Sequence, residues 1–370
     1  MNKQEQISSV QMTILFLFYL TGSSIVIIPA PLTNVAGNAA WISLLIALIL
    51  GMLLLTGILY LYRRFPHQSL IEYSGSLLGR GWTVLLFIPF VCVMFWHVAG
   101  IVIEIGAFFK TTMLKESPTY AVNALLFVTI ALTVRAGIEA IARMAPLLLI
   151  LMFGFIFLVC VLVANLYHVE YLLPIVPSGI GPIFHAAYIA YGFPYAELVV
   201  FAIILPCIRP KDAPNVRKHL YFGLAANGAT LLLSIICSIM VLGPLSGDLK
   251  YSLYQLARLI FIRETIERIE SVIGFSLIVG FYFKASILLF ILVRSVSHLL
   301  KLSNERLIVF PVAFVCLLLS LTTYTNEATL EEIVNTTWPL LNNVAYVCPM
   351  LLLIVAALLR RRGRKMNGDG

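Results

Sequence analysis

Apolar residues run along this chain in long blocks, without the strict alternation of a half-buried strand or the narrow stripe of a surface helix. Ten blocks, near 10–33, 39–62, 83–109, 119–135, 143–166, 182–207, 220–243, 271–296, 307–323 and 337–359, approach or exceed the ~20 helical residues that cross a hydrocarbon core. In lipid a segment must satisfy its own backbone polar groups, so each block is predicted to be a helix. The fourth and ninth are the shortest. The N-terminus has the outline of a signal peptide, with Lys3, an apolar run and then Thr21, Gly22 and Ser23. The run resumes at Ile25 without a convincing cleavage site and is therefore kept as the first span. The expectation is an all-α integral membrane protein with ten transmembrane helices, forming a single transmembrane domain over 1–370.

Composition agrees. The chain is 61% hydrophobic and only 11% charged, with a mean hydropathy of +1.00, whereas charged residues make up about a quarter of a soluble domain. Charge placement sets the orientation. Of the 25 Lys and Arg residues, Lys284 lies inside a block, and Lys110, Lys115, Lys250, Arg258, Arg263 and Arg268 fall on one side. All the others fall on the opposite side, ending in the basic tail 360–370. The positive-inside rule then predicts ten spans with both termini cytoplasmic. The net charge of +8 reflects that orientation and contact with anionic lipid, and nothing suggests nucleic acid.

The six cysteines are scattered singly through the blocks and read as small packing residues. No HExxH, Walker loop, GxSxG or GxGxxG occurs and the histidines do not cluster, so no catalysis, metal or cofactor is expected. The external stretch 251–270, YSLYQLARLIFIRETIERIE, puts Leu253, Leu256, Leu259, Ile260, Ile266 and Ile269 on roughly one helical face. It predicts an amphipathic helix, either lying on lipid or forming a lid over an external vestibule.

Two blocks are interrupted. In the sixth, AYGFPYAEL brings Gly192, Pro194 and Glu197 together at a depth where a carboxylate is expensive unless it faces a cavity or partner. In the first, FYLTGSSIVIIPAPL places Thr21, Gly22, Ser23 and Ser24 mid-span, followed by Pro29 and Pro31. A proline kink in an ordinary helix is the plain alternative for the sixth. Ten helices divided five plus five, as repeats over about 10–166 and 182–359, make the first and sixth corresponding members, and an odd number per half inverts the second half. Paired breaks of that kind point to a midplane site for a small polar ligand.

The ten-span layout, the first-helix TGSSIVIIPAP, the sixth-helix YGFPYAEL and the tail RRRGRK resemble the spore germinant-receptor B subunits of Bacillus-type bacteria, a branch of the amino acid/polyamine/organocation transporter superfamily. That resemblance implies a subunit in the inner membrane of the spore. It would sense an amino acid or similar small nutrient together with a receptor A subunit and a lipoprotein C subunit. The superfamily pattern implies that an unwound Thr21–Ser24 backbone meets a ligand carboxylate. Tyr191, Gly192 and Phe193 would offer carbonyls to its ammonium and an aromatic wall to its side chain. Glu197 then serves as ammonium counter-ion, proton acceptor or structural tie. Lys284 would be a resident cation where other members hold sodium, or would snorkel or pair structurally. Glu104 would be a further proton or cation-site residue or a partner of Lys110 or Lys284. His97, on the same face as Glu104, would be a packing or a titrating histidine, and Phe281 would help set specificity. An autonomous proton-coupled amino acid symporter is the alternative built on the same residues.

Overall fold

The computed structural model describes residues 5–66, 68–112, 116–176, 179–260, 269–323 and 327–366. Its elements are helices: α1 Ser9–Ile27, α2 Pro29–Ala36, α3 Ala40–Arg64, α4 Leu70–Leu78, α5 Arg80–Thr112, α6 Thr119–Ala136, α7 Ile138–Leu162, α8 Ile180–Ala190, α9 Leu198–Phe201, α10 Val216–Leu242, α11 Ser252–Arg258, α12 Ile269–Leu299, α13 Val309–Thr322, α14 Glu327–Asn342 and α15 Cys348–Met366. Among the described residues, nine helical segments are long and apolar enough to cross a membrane, and α13 is a shorter apolar helix. At fourteen residues α13 spans about 21 Å at 1.5 Å per residue, well under the ~30 Å hydrocarbon thickness.

Local chemistry sets several helix starts. Ser8 accepts from the Gln11 N–H at 3.1 Å while its own N–H donates to the Gln11 side chain at 2.9 Å, a capping box that opens α1. Ser69 and Glu72 open α4 in the same way. Gly137, at φ 95°, is the single residue between α6 and α7.

Burial separates the layers. The apolar windows of Ser9–Ile27, Ile180–Cys207 and Ser271–Leu299 are 78%, 89% and 89% buried, against 28% for those of α6 and α7. The first, sixth and eighth blocks therefore form the centre. Leu125, Leu147 and Ile150 of the outer helices stay about 70% exposed, an apolar surface suited to lipid. α1 packs against α12, α10 and α7. At its crossing with α12 a Cβ on Gly22 would collide with the Gly280 carbonyl, so the two backbones touch.

Two sequence expectations need correcting. α1 is helical through Thr21–Ser24, with the Ile28 N–H donating to Ser24 O at 2.9 Å and the Ser24 hydroxyl donating back to Leu20 O. Small hydroxyl residues remain helical in a buried span because they can bond back to the preceding turn. The first-run interruption comes instead at Ile28, where Pro29 and Pro31 bring no N–H to the ladder and α2 begins. The helix expected over 251–270 ends at Arg258, with 261–268 outside the described residues. Leu253, Tyr254, Leu256 and Ala257 are buried against protein, and Tyr251 and Tyr254 make edge contacts with Phe108 of α5. That part of the segment is inserted among helices and does not lie on lipid.

Candidate functional site

The sixth run breaks where the sequence expects it. α8 ends at Ala190, residues 191–195 form a wide turn closed by the Ala196 N–H to Tyr191 O at 2.8 Å, and Phe193 leaves the helical region at φ −148°, ψ 115°. Pro194 has no N–H to donate, so the ladder cannot close normally across it. The chain resumes in α9 with Glu197 just before it.

The Glu197 carboxylate is the hub of the site. Lys284 of α12 donates to Oε2 at 2.7 Å, and His97 Nε2 of α5 lies 2.9 Å from Oε1. Exposure of the three side chains is 0–2%. A buried carboxylate is tolerated when a cation meets it at hydrogen-bond distance, as Lys284 does here at Oε2. The Lys284 ammonium also stands 4.2 Å from the Phe193 ring centroid and 5.4 Å from that of Tyr19, placing its charge on aromatic faces. Tyr19 reaches the Glu197 carbonyl through its hydroxyl at 3.3 Å.

A third interrupted element closes the site. Residues 343–347 form a wide turn between α14 and α15, and Asn342 just before it donates to Gly192 O at 3.0 Å. Gly192 is held so closely to Pro339 that a Cβ would overlap it. Trp338 packs edge-on to His97 at 5.3 Å, and Tyr346 packs edge-on to Phe90 at 4.7 Å. Ile27, Trp96, His97, Gly100, Ile101, Glu104, Phe193, Val334 and Trp338 line a cavity of about 30 Å³. That is room for one or two waters and too little for an amino acid, so a ligand enters only if helices move. The Tyr346 hydroxyl and Asn342 Oδ1 are buried with no protein partner among the described residues.

His97, Phe193, Glu197 and Lys284 are thus brought together, and Glu104 lines the same cavity. Glu104 approaches Lys250 at 3.8 Å, a partner the sequence reading did not name. Phe281 is fully buried on α12, three residues before Lys284. The Gly192 carbonyl, expected to be open to a ligand, is taken by Asn342. Tyr191 is half-buried at the start of the wide turn. Thr21 accepts from Asn227 of α10 at 3.0 Å, and Ser23 is buried in continuous helix, so Thr21–Ser24 form no open cradle of N–H groups. Tyr19, Asn227, Trp338, Asn342 and Tyr346 were missed. The polar pair in WPLLNN, inside the last apolar block, was the available signal.

A family model described as "Spore germination protein" matches residues 6–328. Spore germination protein KB of Bacillus subtilis (strain 168) is 29% identical over 99% of both chains. Spore germination protein XB of Bacillus anthracis is 25% identical over 72% of this chain and 74% of its own. Among solved structures, MhsT in complex with L-phenylalanine superposes with a TM-score of 0.73 at 14% identity, covering 93% of this chain and 89% of that one. A Na+-coupled sialic acid symporter superposes with a TM-score of 0.64 at 11% identity, covering 91% and 78%. At these identities the likeness is one of fold, and the fold is that of such transporters.

Proposed function

Because the chain belongs to the spore germination protein family, we propose that it is the nutrient-sensing subunit of a germination receptor, built on a transporter fold. Its ligand is an amino acid or similar small polar nutrient bound at the membrane midplane between α1 and the broken α8–α9 segment. The observation that carries this reading is the buried Lys284–Glu197–His97 network set directly against the Phe193–Pro194 break.

The chemistry follows from the network's charge. Lys284 compensates Glu197 at 2.7 Å, which leaves the site close to neutral and suited to a zwitterion or a polar uncharged nutrient. Glu197 is free to meet a ligand ammonium only if His97 or Lys284 moves, so its first role is to hold the half-helix to α5 and α12. The unpartnered Tyr346 hydroxyl and Asn342 Oδ1 are polar atoms a ligand could satisfy. Ligand entry requires the small cavity to open, and binding therefore shifts an equilibrium between outward-open and occluded states. A receptor A subunit and a lipoprotein C subunit are the proposed readers of that shift. The inner spore membrane, with both termini cytoplasmic, is the proposed location.

The likeness to transporters favours one competing reading, an autonomous proton-coupled amino acid symporter. Proteoliposomes containing only this protein separate the two, assayed for labelled amino acid uptake with and without an inward proton gradient and for equilibrium binding in detergent. Saturable binding without accumulation is expected. Accumulation driven by the gradient and lost in Glu197→Gln would establish a symporter, and absence of both binding and uptake across nutrient classes would remove the midplane site.

A further inference from the structure

On the side that charge placement puts in the cytoplasm, a polar cavity of about 760 Å³ is walled by the N-terminal segment, the start of α4, the chain after α9 and the end of α12. Pockets that hold small molecules span about 300–1,000 Å³. The charged groups of the lining are paired unevenly. Arg306 meets Glu5 at 2.7 Å, and His298 lies 4.0 Å from Glu72, whose other oxygen accepts from the Ser69 N–H. Arg294 and Lys301 make no ion pair among the described residues, and Glu305 is the lining carboxylate left to face them. The Arg294 guanidinium offers a fork of N–H donors, yet its hydrogen-bond partner is the Cys207 sulfur at 2.9 Å, a weak acceptor. Lys301 holds a position that favours glycine. The Leu302 N–H donates to Ser297 O at 2.9 Å and the Lys301 N–H to His298 O at 3.2 Å, closing α12 with Lys301 at φ 54°. It follows Arg294 by about two helical turns, so the two cations share one wall of the cavity with Ser297 between them.

We propose that this cavity is a binding site for a small oxyanion, a carboxylate or phosphate drawn from the cytoplasm and held by Arg294 and Lys301. A guanidinium meets either group through two parallel hydrogen bonds, and the ammonium adds a point charge. Two unpaired cations against one unpaired carboxylate leave a surplus that one anion neutralises. The site is separate from the Glu197 network, because Arg294 lies ten residues beyond Lys284 on α12, about 15 Å along the helix. The N-terminal segment, the chain after α9 and the end of α12 meet around the anion. Its binding therefore favours the arrangement in which they are together, the closed state of this side.

The test melts the purified full chain in detergent with inorganic phosphate or succinate, against chloride at equal ionic strength. A saturable rise in Tm of several degrees over chloride is expected, since a ligand bound by the folded state stabilises it. The rise is expected to vanish in Arg294→Gln and to need about tenfold more phosphate in Lys301→Met, which loses one charge-assisted contact. Lys301 is exposed, so its variant keeps the test decisive where Arg294→Gln fails to fold. No rise from either anion overturns the proposal. An equal rise in the wild type and both variants also overturns it, because general exclusion of ions from the protein surface acts on all three alike. Phospholipid headgroups carry the same chemistry, so the melts are repeated in micelles containing phosphatidylglycerol. A further rise on adding phosphate supports the soluble anion. A rise from the lipid alone, lost in the same variants and not increased by phosphate, assigns the site to a headgroup and overturns the cytoplasmic source.

Discussion

At Glu197 two requirements meet. A carboxylate at this depth needs partners, and a ligand site needs charge it can rearrange. Removing one member of a buried pair strands the other charge, a loss of about 3–5 kcal/mol. Glu197→Gln is accordingly expected to lower both abundance and nutrient response, because Lys284 is left buried without its carboxylate. Adding Lys284→Met removes the stranded charge and is expected to restore abundance, as read by immunoblot, while the response stays lost. Recovery of the response in the double variant would reduce the network to a structural tie. Gly22 tests packing separately. Its Cβ would enter the Gly280 backbone carbonyl, so Gly22→Ala must push α1 from α12, and overpacking of this kind costs about 1–3 kcal/mol. A lower melting temperature in detergent with weaker ligand binding is the expected result, and an unchanged melt would mean that the crossing is looser than its geometry.

The elements add closure on the predicted cytoplasmic side. The segment before α1 pairs with the chain after α9, with Ile7 N–H donating to Cys207 O at 2.9 Å and Arg209 N–H donating to Ile7 O at 3.0 Å. Glu5 accepts from the Ile138 N–H at the start of α7 at 2.8 Å and pairs with Arg306 at 2.7 Å. A carboxylate at a helix N-terminus is favoured by the unpaired N–H groups there. These contacts stitch the N-terminal segment to the start of α7 and to the approach to α13, beside a polar cavity lined by Glu5, Arg294 and Arg306. Glu5→Ala is expected to loosen this closure and speed labelling of the buried Cys207 by a water-soluble maleimide from the cytoplasmic face. Unchanged labelling would mean that the Ile7–Ile208 pairing holds the segment without the carboxylate.

For the whole molecule, orientation is the expectation most directly checked. A cysteine placed at His168, in the loop after α7, is expected to react from outside intact cells, and one at Asp212, between α9 and α10, only after permeabilisation. The reverse pattern would invert the proposed orientation. The helical class and the break at Gly192–Pro194 were legible in the sequence, because lipid imposes about 20 apolar residues per span and Pro removes a donor wherever it stands. Glu197 stood out for the same local reason, as a charge whose position in an apolar block is itself costly. His97 and Lys284 were also singled out, but not as its partners, since they come from α5 and α12, far away in sequence, and meet it only through helix packing. The helical path of Thr21–Ser24 and the closing role of Asn342 were settled by tertiary structure for that reason. Cost of burial is a property of one residue and its neighbours in the chain, whereas relief of that cost depends on which other helix the fold brings alongside.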